Sequence, residues 1–406
     1  ILLAIPSASI DKRKEIIYKV QDLGFSILEV PSIEEITEGK ARIDNLRRIE
    51  IDKLLERDIV LPIPQLLGKG IKNQNILITG AGGSIGSEIS NQIIKMEPRN
   101  LILLDSNEKN LYELKNNIGS FQKNTNFILG NCCEEKFMNY LLKRNNIDLI
   151  FHTSAYKHVN LVEENPIQGL FNNVISSLVI CKLSSYLKIP KVILISSDKA
   201  VRPRNIMGAS KRVSEILFQA FDNQFKETCF SMVRFGNVLN SSGSVIPLFK
   251  NQIKSRIPLT VTHPDVIRYF MTIKEASQLV IQASALAKGG EVFLLDMGEP
   301  IKILNLAKQM IKLSGLTVKD EENLNGDLEI IFTGLRPGEK LYEELLIDNK
   351  SKSTTHPLIF KAEEKYIMYE NLMPLIEEME RALINQDLYR SLSLLKQIVP
   401  EWERSA

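Results

Sequence analysis

Two hydroxyls, a carboxylate and an ammonium stand in a row at Ser196, Ser197, Asp198 and Lys199. A carboxylate beside a primary amine can give one proton and take another. Met207 follows eight positions after Lys199, and Lys211 four after that. An i, i+4 pair on a helix shares one face, so up to four functional side chains can converge on one point. The run over 191–195, Lys-Val-Ile-Leu-Ile, leads into this row and reads as a buried strand. In open parallel sheets ligands bind at the carboxyl ends of strands, which is where the polar row falls.

A second constellation precedes it. Residues 79–86 read Thr-Gly-Ala-Gly-Gly-Ser-Ile-Gly, between an apolar strand over 75–79 and a helix over 87–95. Gly80 permits a tight turn. Gly82 and Gly83, with Ser84 and Ile85, bring backbone N–H groups towards a pyrophosphate, and Gly86 lets helix pack on strand. The positive end of the helix then holds the phosphate. Asp105 closes the next strand, about 20 residues past Gly86. A carboxylate there accepts hydrogen bonds from ribose hydroxyls and repels a 2′-phosphate, which favours NAD over NADP. Asn131, just past the third strand, either meets an adenine amine or closes a turn, and Cys132 stands beside it.

These positions need a scaffold. From residue 73 a βα alternation argues for a parallel sheet. Strands are expected over 75–79, 101–104, 127–129, 148–151, 191–195 and 229–233. Helices are expected over 87–95, 111–118, 166–187, with Pro166 in the first turn, and 211–221. After Arg234 the segments shorten and gain Pro, Gly and Ser, as in a substrate-binding lobe. Residues 375–386 and 388–399 have helical periodicity. The expected class is α/β: a Rossmann-type doubly wound parallel sheet, a smaller C-terminal substrate-binding lobe and a short N-terminal α/β segment. The bounds are 1–65, 70–235, 236–360 (with segments free to exchange with the preceding domain) and 361–406 for the last helices.

Within residues 1–65 we read a strand over 1–5, a helix over 11–23 stopped by Gly24 and a strand over 25–30. A charged stretch over 33–56 then wraps onto the next domain, before a Pro- and Gly-punctuated linker. The chain does not begin with Met and opens on what reads as a strand under way, so a piece of a longer protein is expected.

A length of 406 residues suits two or three domains. A net charge of +2 gives no reason to invoke nucleic acid or a membrane surface. Cys132, Cys133, Cys181 and Cys229 make no CxxC pair. That is neither a disulfide framework nor a zinc site; a reducing compartment and no metal are expected. No uninterrupted apolar run of about 18 residues and no signal peptide is visible, so no transmembrane helix is expected within the chain.

Several blocks together resemble the extended short-chain dehydrogenase/reductase superfamily, and most closely the nucleotide-sugar 4,6-dehydratases of the polysaccharide-biosynthesis type. Besides the glycine turn these are Phe-His-Thr-Ser-Ala-Tyr-Lys-His-Val at 151–159, Ser-Ser-Asp-Lys-Ala at 196–200, Arg-Phe-Gly-Asn-Val-Leu at 234–239, Arg-Tyr-Phe-Met at 268–271 and Leu-Arg-Pro-Gly-Glu-Lys at 335–340. They cover about residues 70–360, in the family's order. Residues 1–65 look like the tail of the domain that precedes the enzyme in long members. The resemblance implies a cytoplasmic domain, anchored in such members by transmembrane helices upstream of residue 1, and a homo-oligomer.

The resembled enzymes carry Tyr-x-x-x-Lys, whose Tyr takes a sugar-hydroxyl proton as hydride leaves. Here Met207 stands at the Tyr position, and a thioether cannot take that proton. A subgroup acting on UDP-N-acetylglucosamine with retention at C5 shares this departure. The implied reaction moves hydride from sugar C4 to NAD, eliminates water across C5 and C6, and returns hydride to C6. It assigns Asp198 as the acid for the C6 hydroxyl and Lys199 as the base for C5. Lys211 holds the nicotinamide ribose, and Asp198 or Ser197 takes the C4 hydroxyl proton. Lys157 and His158, after the fourth strand, touch substrate or cofactor. Asn237, Arg268 and Arg336 fit a diphosphate clamp, because Arg presents a planar fork to phosphate oxygens. The loop over 241–247, with Ser244 and Val245, meets phosphate and uracil. A UDP-sugar 4-epimerase and a non-catalytic sugar-nucleotide sensor are the competing readings. Retention or inversion at C5 stays open.

Overall fold

The computed structural model describes residues 1–5, 8, 10–22, 27–30, 47–48, 51, 60–119, 124–344 and 351–403. The expected helix stop at Gly24 lies outside them, as does the charged stretch over 33–56 apart from Arg47, Arg48 and Ile51. The chain divides into two compact units. One holds residues 1–61, 237–272 and 298–335; the other holds 62–236, 273–297 and 336–406.

The larger unit is built on one nine-stranded sheet. Its strands in chain order are β1 (Asn75–Thr79), β2 (Asn100–Asp105), β3 (Thr125–Leu129), β4 (Leu149–His152), β5 (Lys191–Ile195), β6 (Cys229–Arg234), β7 (Val292–Leu295), β8 (Ser351–Ser353) and β9 (Ile359–Ala362). The spatial order is β8-β9-β7-β6-β5-β4-β1-β2-β3. From β7 to β3 every pairing is parallel, while β9 joins β7 and β8 in antiparallel fashion. The 3-2-1-4-5-6 order is that of a Rossmann sheet. Parallel strands covered on both faces read as continuous apolar runs. Accordingly all five residues of β1 and all four of β4 are buried. The chain reverses its winding between β1 and β4, the crevice where such sheets bind ligands.

The helices that matter to the site are α1 (Ser84–Ile93), α2 (Pro166–Leu187), α3 (Ile206–Gln224), α4 (Tyr369–Ile384) and α5 (Leu388–Ile398). Pro166 sits in the first turn of α2 as expected, and the helix changes to a π-type turn over Phe171–Ile175. By length and composition α2 is apolar enough to cross a membrane, an outcome the sequence reading did not anticipate. Of its most apolar 18-residue stretch 67% is buried inside the protein, and the helix packs on α3. Helix α3 is buried from Ile206 to Phe221, because α2 lies against it and α4 and α5 pack on it too. Helix α4 begins at Tyr369, six residues before the expected start, with Pro374 inside it. Pro usually marks a boundary, which is why the sequence reading started that helix late. A further helix, Glu135–Asn145, escaped the sequence reading altogether.

The smaller unit contains short sheets. Leu2–Leu3 pairs in parallel with Leu28–Glu29, with the helix Ile10–Asp22 between them in sequence, and Arg47–Arg48 adds an antiparallel strand. Asn237–Val238 pairs with Phe270–Met271, and Ile267–Arg268 with Ile301–Lys302. Leu259–Val261, Leu328–Phe332 and Val318–Lys319 form a fourth sheet, which is parallel.

Candidate active site

The polar row leaves the sheet with its backbone still held. The Ser196 N–H donates to Val233 O (2.8 Å) and the Asp198 N–H to Phe235 O (3.1 Å), so the chain runs on beside the end of β6. A single 3₁₀ turn over Asp198–Ala200 follows. Its cap is Ser197, whose Oγ accepts from the Lys199 N–H (3.3 Å) and donates to Asp198 Oδ1 (2.9 Å). Lys199 Nζ donates to the same oxygen at 3.0 Å and stands 3.7 Å from Glu343 Oε1. The Asp198 and Glu343 side chains are only 2% and 5% exposed, against 20% for Lys199. An acid and an amine in contact, almost out of water, can exchange one proton between them.

Glu343 is a site residue that sequence reasoning missed. It arrives on a segment tied along the 198–205 loop. Asn205 Nδ2 donates to Gly338 O (2.9 Å), Lys340 Nζ donates to Val201 O (2.8 Å), and Arg202 pairs with Glu344. Lys340 is itself buried, which lowers its pKa.

Helix α3 starts at Ile206, five residues before the expected start. Asn205 caps it, its Oδ1 accepting from the Gly208 N–H at 2.7 Å. Gly208 permits a close approach here, since a Cβ would lie 2.2 Å from Lys199 O. Met207 and Lys211, one turn apart, are both buried, and Lys211 Nζ donates to Ile195 O at 2.9 Å. That bond pins α3 to the end of β5. Burial pushes the Lys211 pKa down to about 8, with Glu215 acting against the shift.

Glu215 lies one turn beyond Lys211 in a buried charge cluster. It accepts from Ser196 Oγ (2.6 Å), from Arg234 Nε and Nη2 (both 2.6 Å) and from Arg212 Nη1 (3.2 Å). Arg234 also pairs with Glu364, and Arg212 with Glu401. Burial alone would raise the Glu215 pKa, but the two arginines and the Ser196 hydroxyl outweigh it and hold the carboxyl below its ordinary value. The cluster locks the polar row, α3 and β6 together.

At the glycine turn, Gly83 caps α1 with no side-chain hydrogen bond. A glycine at the cap leaves the helix N-terminus without a capping side chain of its own, which suits a pyrophosphate. A Cβ at Gly86 would fall 2.3 Å from Gly80 O, so the helix can start there only on glycine. Asp105 is buried; its Oδ2 accepts from the Gly82 N–H and its Oδ1 from the Asn107 N–H, each at 2.8 Å. Each oxygen keeps a lone pair for a ribose hydroxyl. Asn131 uses its Oδ1 to accept from the Cys133 N–H (2.9 Å), closing a turn, while Cys132 Sγ lies 3.1 Å from Ser154 Oγ. Burial raises the Cys132 thiol pKa.

His152, at the carboxyl end of β4, is fully buried. Its Nδ1 lies 2.8 Å from Thr79 Oγ1, and Ser177 Oγ lies 3.3 Å from Nε2. Burial, with help from the Lys211 charge, pushes its pKa down to about 3. The unfolded chain binds a proton at His152 below its ordinary value of 6.5 and the folded chain does not. Folding stability is therefore lost as pH falls through 6.5 towards 3. Between pH 7 and pH 5 this term removes about 2 kcal/mol. Urea unfolding at both pH values should show it in the wild type and not in His152→Gln. Equal pH slopes in the two proteins would show that His152 is not the group responsible.

Lys157 and His158 follow on the same edge and reach solvent. Burial of its charged end, then the Lys199 charge, lowers the Lys157 pKa; burial and Lys157 lower that of His158. Arg336 is exposed, and its N–H donates to Glu339 Oε2 at 3.2 Å. In the smaller unit, Arg268 is buried and its Nη1 donates to Ile267 O (2.8 Å). The Asn237 N–H donates to Tyr269 O, and Ser244 caps the helix Val245–Lys254 without a side-chain bond. The structure thus brings Ser197, Asp198 and Lys199 together and ties Lys211 to the end of β5, while Met207, one turn before Lys211, is buried in the hydrophobic core. Asn237, Ser244, Val245 and Arg268 it places in the other unit.

Comparison with known proteins agrees with this architecture. The chain is 44% identical over 361 residues to the capsular polysaccharide biosynthesis protein CapD of Staphylococcus aureus, covering 88% of this chain and 58% of that protein. It is 32% identical over 282 residues to a UDP-glucose 4-epimerase of Rickettsia bellii, covering 68% of this chain and 78% of the relative. The solved structure of Pen from Bacillus thuringiensis superposes with a TM-score of 0.65 at 31% identity, covering 78% of this chain and 99% of that one. The family model for polysaccharide biosynthesis proteins matches residues 76–364, and the chain belongs to that family.

Proposed function

We propose that the chain is a nucleotide-sugar 4,6-dehydratase that acts on UDP-N-acetylglucosamine with NAD. The observation that carries this reading is the buried Asp198–Lys199 contact at the end of β5, with a buried thioether at Met207 where the resembled enzymes carry a Tyr. An epimerase needs hydride transfer and a turn of the sugar, but no acid for a departing hydroxyl. A dehydratase needs both an acid and a base, and this pair supplies them.

NAD, when bound, takes hydride from sugar C4 and gives it back at C6. Gly80, Gly82, Gly83, Ser84, Ile85 and Gly86 would hold its pyrophosphate, Asp105 its ribose and Lys211 the ribose next to the nicotinamide. Asp198, or Ser197 through it, receives the C4 hydroxyl proton. Lys199 then breaks the C5–H bond, taking the proton on Nζ while the electron pair delocalises into the new ketone. Asp198 delivers its proton to the C6 oxygen, which departs as water. As hydride returns to C6, Nζ gives a proton back to C5, so Lys199 is again neutral and Asp198 again ionised. The burial that makes Lys211 a weak base restrains water near the reacting atoms as well. Homo-oligomerisation and an upstream membrane anchor belong to the same proposal.

The likeness to the Rickettsia epimerase supports a second reading, a UDP-sugar 4-epimerase. Mass spectrometry after incubation with UDP-N-acetylglucosamine separates the two. A sugar nucleotide lighter by one water is the expected product. A product of unchanged mass and inverted C4 would favour the epimerase, and bound but unaltered substrate a sensor.

A further inference from the structure

We propose that Glu343 is a positioning residue of the reaction site, holding a fixed negative charge against Lys199 while Lys199 takes and returns the C5 proton. The assignment rests on the dehydratase reading of that pair. Lys199 acts as a base only when neutral. By that step Asp198 holds the proton of the C4 hydroxyl and carries no charge. When Lys199 then takes the C5 proton, a C–H bond breaks, an N–H bond forms and an ammonium appears beside a neutral acid. Glu343, 3.7 Å from Nζ with its side chain 5% exposed, is the carboxylate beside Nζ that keeps its charge at that moment. It favours the ammonium and so strengthens the base.

Among the described residues, groups facing Lys199 come from three segments. Asp198 adjoins it on its own turn, and Glu343 stands on the 338–344 segment. Lys157, after β4, sits near enough for its charge to be felt, with His158 beside it. Lys340 faces both carboxylates and feels Arg204. The Lys157 cation opposes a charged Lys199, and the two carboxylates at 3.0 and 3.7 Å favour it. The tie of Lys340 to Val201 O and of Gly338 O to Asn205 fixes the segment that presents Glu343. A solvated surface glutamate would need no such tether.

Glu343→Gln keeps the shape and removes the charge. The acid limb of the kcat/KM profile should move down by about one pH unit, and kcat should fall about tenfold with KM little changed. Glu343→Asp should recover part of both. Glu344→Gln, which alters the exposed Arg202 pair on the same segment, should leave the limb in place. A merely structural Glu343 would lower kcat without moving the limb. The second readout needs no substrate: NMR titration of the Lys199 side chain, assigned with Lys199→Arg. Its pKa should drop in Glu343→Gln, and less in Glu343→Asp. If the wild type forms no 4-keto product, the dehydratase reading fails, and this titration still decides whether Glu343 acts on Lys199. An unmoved Lys199 titration in either variant overturns the proposal.

Discussion

Asp198→Asn should cut formation of the 4-keto product by about 10²–10⁴-fold, the usual worth of a positioned general acid, while leaving the protein folded. The amide keeps an oxygen for the Ser197 hydroxyl and for Lys199 Nζ, which meet Asp198 Oδ1 at 2.9 and 3.0 Å. It keeps the shape of a side chain that is only 2% exposed. What it removes is the proton the departing C6 hydroxyl needs. Met207 makes the effect large. With no phenol at that position, the proton traffic falls on a smaller set of groups, and Asp198 serves more than one step. Product formation is followed by chromatography of the sugar nucleotide, and folding by circular dichroism. Full-rate product from Asp198→Asn would remove Asp198 from the mechanism.

Glu215→Ala should be the most damaging single change to stability, about 3–5 kcal/mol. It removes the acceptors of Arg234 Nε and Nη2 and of Arg212 Nη1, on side chains that are fully buried and 3% exposed, and leaves Glu364 and Glu401 to pair with them. Buried guanidinium N–H groups that lose a charged acceptor cost far more than a surface pair contributes. The melting temperature should fall by about 10 °C. Glu378→Ala, which breaks the exposed pair with Arg390, makes the contrast, with an expected change under about 1 kcal/mol. Thermal unfolding by calorimetry reads both. Equal melting points for Glu215→Ala and the wild type would mean that the cluster does not hold Ser196, α3 and β6 together.

The scaffold was legible wherever burial writes itself into local sequence. The runs that became β1, β4, β5 and β6 are apolar because both faces of a parallel sheet are covered, and Gly80 to Gly86 must be small where α1 meets β1. The order of these strands in the sheet is that of the doubly wound class expected from the alternation. Legibility failed where tertiary contacts override local signals. Gly208 in the first turn of α3 reads as a breaker, whereas it is there to let the helix sit against Lys199. Lys340, Glu343 and Glu344 read as a solvated charged run; only the tether to Val201 and Asn205 buries two of them. Glu215 and Arg212 likewise look like surface charges on a helix, until α4 and α5 cover that face. Asp105 was recognised as an acid at a strand end. That it also accepts from Gly82 and Asn107, so building the turn it serves, depends on distances no spacing rule contains.

Dehydration through a C4 ketone makes one demand that neither epimerisation nor binding shares: the hydrogen removed from C4 must end on C6 of the same sugar. UDP-N-acetylglucosamine deuterated at C4, incubated with this chain and followed by NMR, reads that directly. The expected product is a 4-keto-6-deoxy sugar with the C4 deuterium in its new methyl group. When the reaction is run in D₂O on unlabelled substrate, solvent deuterium should appear at C5. Deuterium that stays at C4, or is found there after inversion, would contradict the assignment of Asp198 and Lys199 as the acid and base of a dehydratase.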